Sequence, residues 1–227
     1  MAEDLAPRIG GLSSVSFEAG ASEGVATLEV RWMRAGAPDA AVAAWFERFP
    51  AAIESREDTY LVGSRREDPS VKIRGGVRFE VKVHDGSPGV LHVPGRARGR
   101  MDSWRKWSLP LGTELPIAVD AFGWRRVRKV RRMTWISPDG RRLLARTPGP
   151  NEQMGCALEL TTVELDGEAW WTLGLEATGP ARGLRRAVET AAGCVFDDAT
   201  PPGLELRFDE SMSYSEWLQR RQEERLD

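Results

Sequence analysis

Histidine and cysteine are scarce in this chain of 227 residues, which has only two of each. They are His84, His92, Cys156 and Cys194. Two cysteines are too few for a disulfide framework or a structural zinc site, and with two histidines a His/Cys metal site is poorly supplied. A histidine-based catalytic triad is poorly supplied for the same reason. Chemistry in this protein must therefore depend on other side chains.

Long apolar runs and an excess of charge of one sign are also missing. No stretch approaches the 18 or so consecutive apolar residues of a membrane-spanning helix. The first residues, MAEDLAPRIGG, lack the basic start and apolar run of a secretory signal. The 32 basic and 34 acidic side chains nearly balance, which argues against bulk affinity for nucleic acid or an anionic membrane. We therefore expect a cytoplasmic protein without a membrane partner.

Charged residues are plentiful, at 29% of the chain, and residues 71–83, VKIRGGVRFEVKV, arrange them in strict alternation. The apolar side chains have odd numbers, and the charged ones have even numbers: Lys72, Arg74, Arg78, Glu80 and Lys82. A period of two predicts β-strands with one apolar and one polar face. Gly75-Gly76 predicts a tight turn between them. The open question is whether the charged face meets water or the inside of a closed barrel.

The same design recurs at residues 25–33, VATLEVRWM, where Glu29 and Arg31 alternate with apolar neighbours. A single charged face is typical of a solvated sheet, and a β-sandwich with charged outer faces would show the same pattern. Repetition on several strands favours an eight-stranded barrel with ionic side chains along its bore. Basic groups grip phosphate oxygens and carboxylates hold Mg²⁺ or Mn²⁺. The predicted ligand is therefore a polyphosphate with a divalent cation.

The pattern along the chain predicts one α+β domain, mainly antiparallel β, with a closed or near-closed eight-stranded barrel and a few flanking helices. Residues 1–22 are predicted to form a loose arm, and residues 23–227 the domain. Between 84 and 123 the alternation is lost, so we expect an irregular excursion with one or two short strands. Asp166-Gly167 predicts a hairpin turn, and LELRF at 204–208 a further strand. Three helices are predicted, over 39–49, over 181–193 with Gly193 as C-cap, and over 213–226 with Ser213 and Glu216 as a capping box.

Several short motifs give the chain a likeness to a known family. In order along the chain they are REDTYLVG (56–63), VKIRGG, FEVKV, CALELTTVEL (156–165), WWTLGLEA (170–177) and SMSYSEWL (211–218). In this order the chain resembles the CYTH superfamily, the triphosphate tunnel proteins, over most of residues 25–220. The resemblance implies a β-tunnel that binds a triphosphate-bearing small molecule or inorganic polyphosphate and hydrolyses it with a divalent metal.

The resemblance also implies roles for particular side chains. Phosphate contacts are expected from Arg31, Lys72, Arg74, Lys82 and the basic stretch WRRVRKVRR (124–132), where Arg126, Arg128 and Arg131 compete with Lys129 for the position. Mg²⁺ or Mn²⁺ is expected on Glu29, Glu80, Glu159 and Glu176, with Glu164 a further source of a carboxylate. A catalytic role is expected of Glu29, Lys72, Arg74 and Lys82.

The chain departs from the family pattern at two carboxylates. Thr27 and Gly174 stand where the family has an acidic residue. Metal-assisted hydrolysis needs those carboxylates, whereas binding an anion needs the basic residues. The sequence therefore supports polyphosphate binding better than hydrolysis. The alternative is a tunnel that has lost its chemistry and serves as a binding or assembly module, engaging a protein partner through 84–123.

Two further features have competing interpretations. The six basic residues of 124–132 could form a nucleic-acid strip, but the balanced overall charge and the lack of a known binding module argue against it. Trp104 and Trp107 could stack on a base, but we expect them to cover the apolar outside of the barrel.

Overall fold

The structure is a computed structural model that describes residues 24–63, 68–112, 123–145 and 154–225. The predicted arm at 1–22 lies outside these ranges. The strands are β1 (Val25–Ala35), β2 (Ala52–Leu61), β3 (Ser70–Arg74), β4 (Arg78–Val93), β5 (Ala97–Pro110), β6 (Trp124–Ile136), β7 (Leu143–Leu144), β8 (Gly155–Leu165) and β9 (Glu168–Thr178). The helices are α1 (Ala40–Phe46), α2 (Ala181–Val195) and α3 (Tyr214–Glu223).

Eight antiparallel strands close into a barrel. Their order is β2-β3-β4-β5-β1-β9-β8-β6, and β6 pairs again with β2 to complete the ring, while the two-residue β7 adds to β6. The predicted α+β class with an eight-stranded barrel is confirmed. The alternative of a β-sandwich with charged outer faces is wrong, because closure turns one face of each strand inward.

Two tight turns fix the register of neighbouring strands. Asp166 and Gly167, between β8 and β9, have φ of 55° and 83°, and Gly75 and Gly76, between β3 and β4, have φ of 55° and 74°. Positive φ at both central residues is the geometry of a hairpin turn whose twist matches the strands. Both predicted hairpins are therefore confirmed.

The prediction of an irregular excursion over 84–123 is wrong for most of that range. β4 continues to Val93, and β5 returns from Ala97 to pair with β4 on one side and β1 on the other. The register of β4 shifts between His84 and Gly86 and again between Gly86 and Gly89. Such bulges add unpaired residues and so break the period of two on which the prediction depended. Residues 113–122 lie outside the described part.

The largest of the hydrophobic clusters lies outside the barrel, between its wall and two helices. On β1, Leu28, Val30 and Trp32 face outward and are at most 3% exposed. They belong to one cluster with residues from both helices, such as Phe46 of α1 and Val188 of α2. Because the apolar face of the sheet is covered from outside, the inner face is free to be polar.

Helix α3 closes one end of the barrel. Its residues Trp217 and Leu218 are at most 2% exposed and pack against inward-facing Val127 and Tyr60. The Ser213 hydroxyl accepts a hydrogen bond from the Glu216 backbone N–H, as expected of an N-cap. The Glu216 carboxylate instead pairs with Arg100 and Arg220, so only half of the predicted capping box forms.

Two other predicted element ends differ in the structure. Helix α2 runs through Gly193 to Val195, so Gly193 is not a C-cap. In place of the predicted strand at 204–208 there is a single bridge from Leu206 to Ala97, followed by a 3-10 helix at Phe208–Glu210. Within the described ranges, the longest helix has 15 residues, and none has the length and apolar character needed to cross a membrane.

Candidate functional site

Alternation places charged side chains from all eight strands of the ring inside the barrel. On β1, Glu29 and Arg31 face inward while Leu28 and Val30 face the outer core. The gathered side chains line a cavity of about 80 Å³, which we call the bore. Its basic members are Arg31, Arg56, Lys72, Arg74, Lys82, Lys106, Lys129 and Arg131, and its acidic members are Glu29, Glu80, Glu159 and Glu176.

The bore carries more positive than negative charge. Eight basic side chains against four carboxylates leave an excess of four positive charges. Two further carboxylates, Asp58 and Glu54, pair with basic residues of the bore and reduce the excess to two. Burying like charges is costly unless opposite charge compensates them. The remaining excess is what an anionic ligand would neutralise.

Arg31 lies at the centre of a buried ion-pair network. Its guanidinium donates to Glu29 at 2.5 Å, to Glu159 at 2.9 Å and to the Thr172 hydroxyl at 2.9 Å. It lies directly over Gly174, where an added Cβ would come within 2.9 Å of the Arg31 Cζ atom. Burial opposes the charged form of Arg31, but Glu29 and Glu159 outweigh that effect and raise its pKa well above the ordinary value. Arg31 is therefore a permanent cation.

Lys82 joins two carboxylates that lie directly opposite each other on paired strands. Glu29 and Glu176 are cross-strand partners, and the Lys82 Nζ atom lies 3.3 Å from the first and 2.8 Å from the second. Two like charges in this position would repel. Burial would raise the pKa of Glu176, but Lys82 and Lys106 outweigh it and lower that pKa to about 2. Lys82 thus holds Glu176 ionised and links it to Glu29.

Lys72 and Arg74 surround the fourth carboxylate, Glu80. The Lys72 Nζ atom lies 3.3 Å from one oxygen of Glu80, and Arg74 donates to the other at 3.3 Å. Burial would raise the pKa of Glu80, but Lys72, Lys106 and Arg74 together lower it to about 2. Arg74 and Lys106 keep 21% and 27% of their side chains exposed, which marks the mouth of the bore.

Lys129 lies deep in the bore, near α3. Its Nζ atom is 2.6 Å from the Tyr60 hydroxyl and 3.2 Å from Asp58, and it lies 3.6 Å from the centre of the Tyr214 ring. Burial, together with repulsion from Lys72 and Arg56, outweighs the attraction of Asp58 and lowers the pKa of Lys129 well below its usual value. Burial therefore makes Lys129 easier to deprotonate than an ordinary lysine.

The basic stretch of β6 divides between the two faces of the wall. Arg131 and Lys129 face inward, and Arg131 pairs with Glu159 at 2.7 Å. Arg126 and Arg128 face outward, with 48% and 62% of their side chains exposed, and pair with Glu57. The structure therefore does not bring Arg126 and Arg128 to the other predicted phosphate contacts.

Trp104 does not lie on the outside of the barrel, where the sequence predicts it. Trp104 is 3% exposed and lines the bore, contrary to the expectation that it covers the outside. Its Nε1 atom and the Thr161 hydroxyl are buried in the bore wall without a hydrogen-bond partner among the described residues. These two orphaned polar groups, on β5 and β8, are a cost that an acceptor-rich ligand would relieve.

The four predicted metal ligands do not form a metal site in this arrangement. Glu29, Glu80 and Glu159 each have both oxygens within 3.3 Å of a basic side chain or hydroxyl. Among the described residues, no three acidic, histidine or cysteine side chains lie close enough together to hold a metal ion. Hard divalent cations need several free carboxylate oxygens, so the residues present do not fit the implied Mg²⁺ or Mn²⁺.

Sequence reasoning missed several residues of the bore. Arg56, Asp58 and Tyr60 share even parity on β2, which is a signal that would have placed them on one face. Lys106 lies two residues after Trp104 on β5, but the expectation for this segment was a cover of tryptophans. Lys129 is one of four basic residues of 124–132 that compete for a phosphate contact, and alternation alone does not decide between them.

No protein-family model matches this chain, and no curated protein is similar to it. Among solved structures, the chain is similar to the PH1012 protein from Pyrococcus horikoshii OT3. The identity is 12%, the match covers 83% of this chain and 98% of that chain, and the TM-score is 0.43. The resemblance to the CYTH superfamily therefore stays a prediction.

Proposed function

We propose that the bore binds a triphosphate-bearing small molecule or inorganic polyphosphate. The observation that carries the proposal is the convergence of eight basic side chains, from β1, β2, β3, β4, β5 and β6, on one enclosed cavity. Guanidinium and ammonium groups form charge-assisted hydrogen bonds with phosphate oxygens that are about twice as strong as neutral ones. Bases on six strands reach a chain of phosphates from several sides.

The unbound bore is held together by its own carboxylates. Lys72 shares Glu80 with Arg74, and Lys82 is shared by Glu29 and Glu176. These pairs keep the basic groups positioned in the bore, so that less ordering remains to be done when an anion arrives. The positive excess and the orphaned Trp104 and Thr161 groups then favour a ligand with many acceptor oxygens.

Isothermal titration with inorganic tripolyphosphate tests the proposal. We expect micromolar or tighter binding, weakened at least about 100-fold in the Lys72→Ala, Arg74→Ala double variant, because two charge-assisted contacts are worth about 3 kcal/mol. The matched control is Arg126→Ala with Arg128→Ala, which removes the same charge from the outer face and should change affinity less than about threefold. Equal losses in the two double variants, with both folded by circular dichroism, would contradict a site in the bore.

Hydrolysis of the bound anion is a separate prediction from the family resemblance. The engagement of Glu29, Glu80 and Glu159 by basic side chains favours a binding module over an enzyme. A phosphate-release assay with tripolyphosphate and nucleoside triphosphates, with Mg²⁺ or Mn²⁺, separates the two. We expect no sustained release. Turnover that Glu29→Gln abolishes would instead show an active phosphohydrolase.

A further inference from the structure

We infer that two side-chain cations, Arg31 and Lys82, occupy the places among the bore carboxylates that a divalent metal ion would take, so that the bore binds its phosphate ligand without a metal. This inference rests on the proposed function for the identity of the ligand. It concerns a different property, the source of the positive charge that neutralises Glu29, Glu159 and Glu176.

Arg31 is fixed between carboxylates from two strands. Its Nε atom pairs with Glu29 on its own strand, and its NH2 group pairs with Glu159 on β8, two strands away in the barrel. The side chain is 3% exposed and lies flat over Gly174. A guanidinium held by three hydrogen bonds and without access to water is a permanent part of the wall, and its charge sits where two carboxylates converge.

The absence of a side chain at position 174 makes this arrangement possible. Arg31 and Gly174 are cross-strand partners. A carboxylate at 174 would have to share space with the guanidinium, since even a Cβ atom would lie 2.9 Å from Cζ and from NH1. The guanidinium of Arg31 therefore occupies the space that a side chain at position 174 would need.

Lys82 is the cation that lies between the second pair of carboxylates, Glu29 and Glu176. Its ammonium lies 3.3 Å from Glu29 and 2.8 Å from Glu176, which face each other across β1 and β9. Carboxylate oxygens are the usual ligands of hard divalent cations. Two carboxylates that face each other on neighbouring strands could bind one such ion between them. In this chain the bridge is the lysine, and a metal ion could bind there only by displacing it.

The first experiment compares tripolyphosphate binding by the wild-type chain in buffer with EDTA and in buffer with Mg²⁺. We expect the dissociation constant in EDTA to be no more than about threefold higher than with Mg²⁺. Binding at least tenfold weaker in EDTA would overturn the inference while leaving the proposed function standing. Absence of binding in both buffers would overturn the proposed function, and the inference about its ligand with it.

The second experiment uses Mn²⁺ alone, followed by electron paramagnetic resonance, so that its result does not depend on phosphate binding. The wild-type chain should not bind Mn²⁺ below millimolar concentration. The Lys82→Met variant should bind at least tenfold more tightly, because Glu29 and Glu176 lose their bridge, and Lys82→Gln serves if the first variant does not fold. The matched control, Lys106→Met, removes a lysine of the same bore that lies 3.9 Å from Glu80 but leaves Lys82 between Glu29 and Glu176. It should therefore bind Mn²⁺ at least about threefold less tightly than Lys82→Met does.

Two outcomes of this titration would overturn the inference. One is micromolar Mn²⁺ binding by the wild-type chain, which would show that the carboxylates are available despite their partners. The other is a folded Lys82 variant that binds Mn²⁺ no better than Lys106→Met does, which would remove the role assigned to Lys82.

Discussion

On β1, the two faces of the barrel wall are buried to nearly the same degree, but one face is apolar and the other is ionic. On β1, Leu28 and Val30 face the helices at 3% and 0% exposure, while Glu29 and Arg31 face the bore at 6% and 4%. The outer face lies against the hydrophobic core formed with α1 and α2, and the inner face forms ion pairs. Burial alone therefore does not distinguish the part of the wall that stabilises the fold from the part that can bind a ligand.

This comparison shows how a small barrel can hold a charged interior. Buried apolar area is the main favourable term in folding, and here most of it lies outside the bore. A buried ion pair contributes little net stability, because the cost of removing charges from water offsets most of the attraction. The bore charges are therefore available for recognition at modest cost, provided that each of them keeps a partner.

The largest effect should come from breaking the outer face. Leu158→Ala removes a fully buried leucine of β8, and we expect the free energy of unfolding to fall by about 3–4 kcal/mol. Tripolyphosphate affinity of the folded fraction should not change. The matched control is Leu109→Ala, at an outward position that is 48% exposed, and it should cost less than about 1 kcal/mol. Urea unfolding measures both, and equal costs would contradict a core confined to the helix-covered side.

A change to the inner face should have a smaller effect on stability and a distinct effect on binding. Glu159→Gln leaves Arg31 and Arg131 facing a neutral amide, and we expect a loss of about 3 kcal/mol of stability. Tripolyphosphate affinity should rise about threefold or more, because the bore gains one net positive charge. The control, Glu164→Gln, changes a carboxylate of the same strand that is half exposed, and it should alter stability by less than about 0.5 kcal/mol. Weaker anion binding by Glu159→Gln would show that this carboxylate supports the site.

Acid should affect the inner face selectively. The pKa values of Glu80 and Glu176 are lowered to about 2 from an ordinary value of 4.5. Groups with a lowered pKa in the folded state stabilise it above the pKa of the unfolded state, and this stability is lost as the pH falls from about 4.5 to about 2. We expect a loss of about 2 kcal/mol for each carboxylate over that range, measured by urea unfolding at a series of pH values. Stability that does not change between pH 5 and pH 3 would contradict the ion-paired bore.

The sequence predicts the inner face well where both strands of a hairpin keep one parity. At 71–83 the tight turn at Gly75-Gly76 places Lys72 opposite Glu80, so that even-numbered residues of β3 and β4 share one side. The alternation of charged and apolar residues then separates bore from exterior. Barrel closure itself followed from the repetition of this pattern on several strands.

The sequence does not predict which face of a strand lines the bore where odd- and even-numbered positions carry the same residue types. In β6, Val127 faces inward and is fully buried, whereas Val130 faces outward and is 45% exposed, and basic residues lie on both sides. Only the pairing of β6 with β2 and β8 decides that Lys129 and Arg131 point into the bore. On β5, Gly99 faces the outer core because Trp32 packs against its backbone, so the apolar face of that strand lacks the side chains that would have revealed it.

The packing of α3 against one end of the barrel closes the bore at that end. Tyr214 and its neighbours Ser213 and Ser215 form the floor, and the more exposed Arg74 and Lys106 stand at the rim. A linear polyanion bound as proposed would have its terminus at this floor, among the described residues. A polyphosphate longer than the bore is deep would bind with little extra affinity, because its remaining phosphates would extend into solvent.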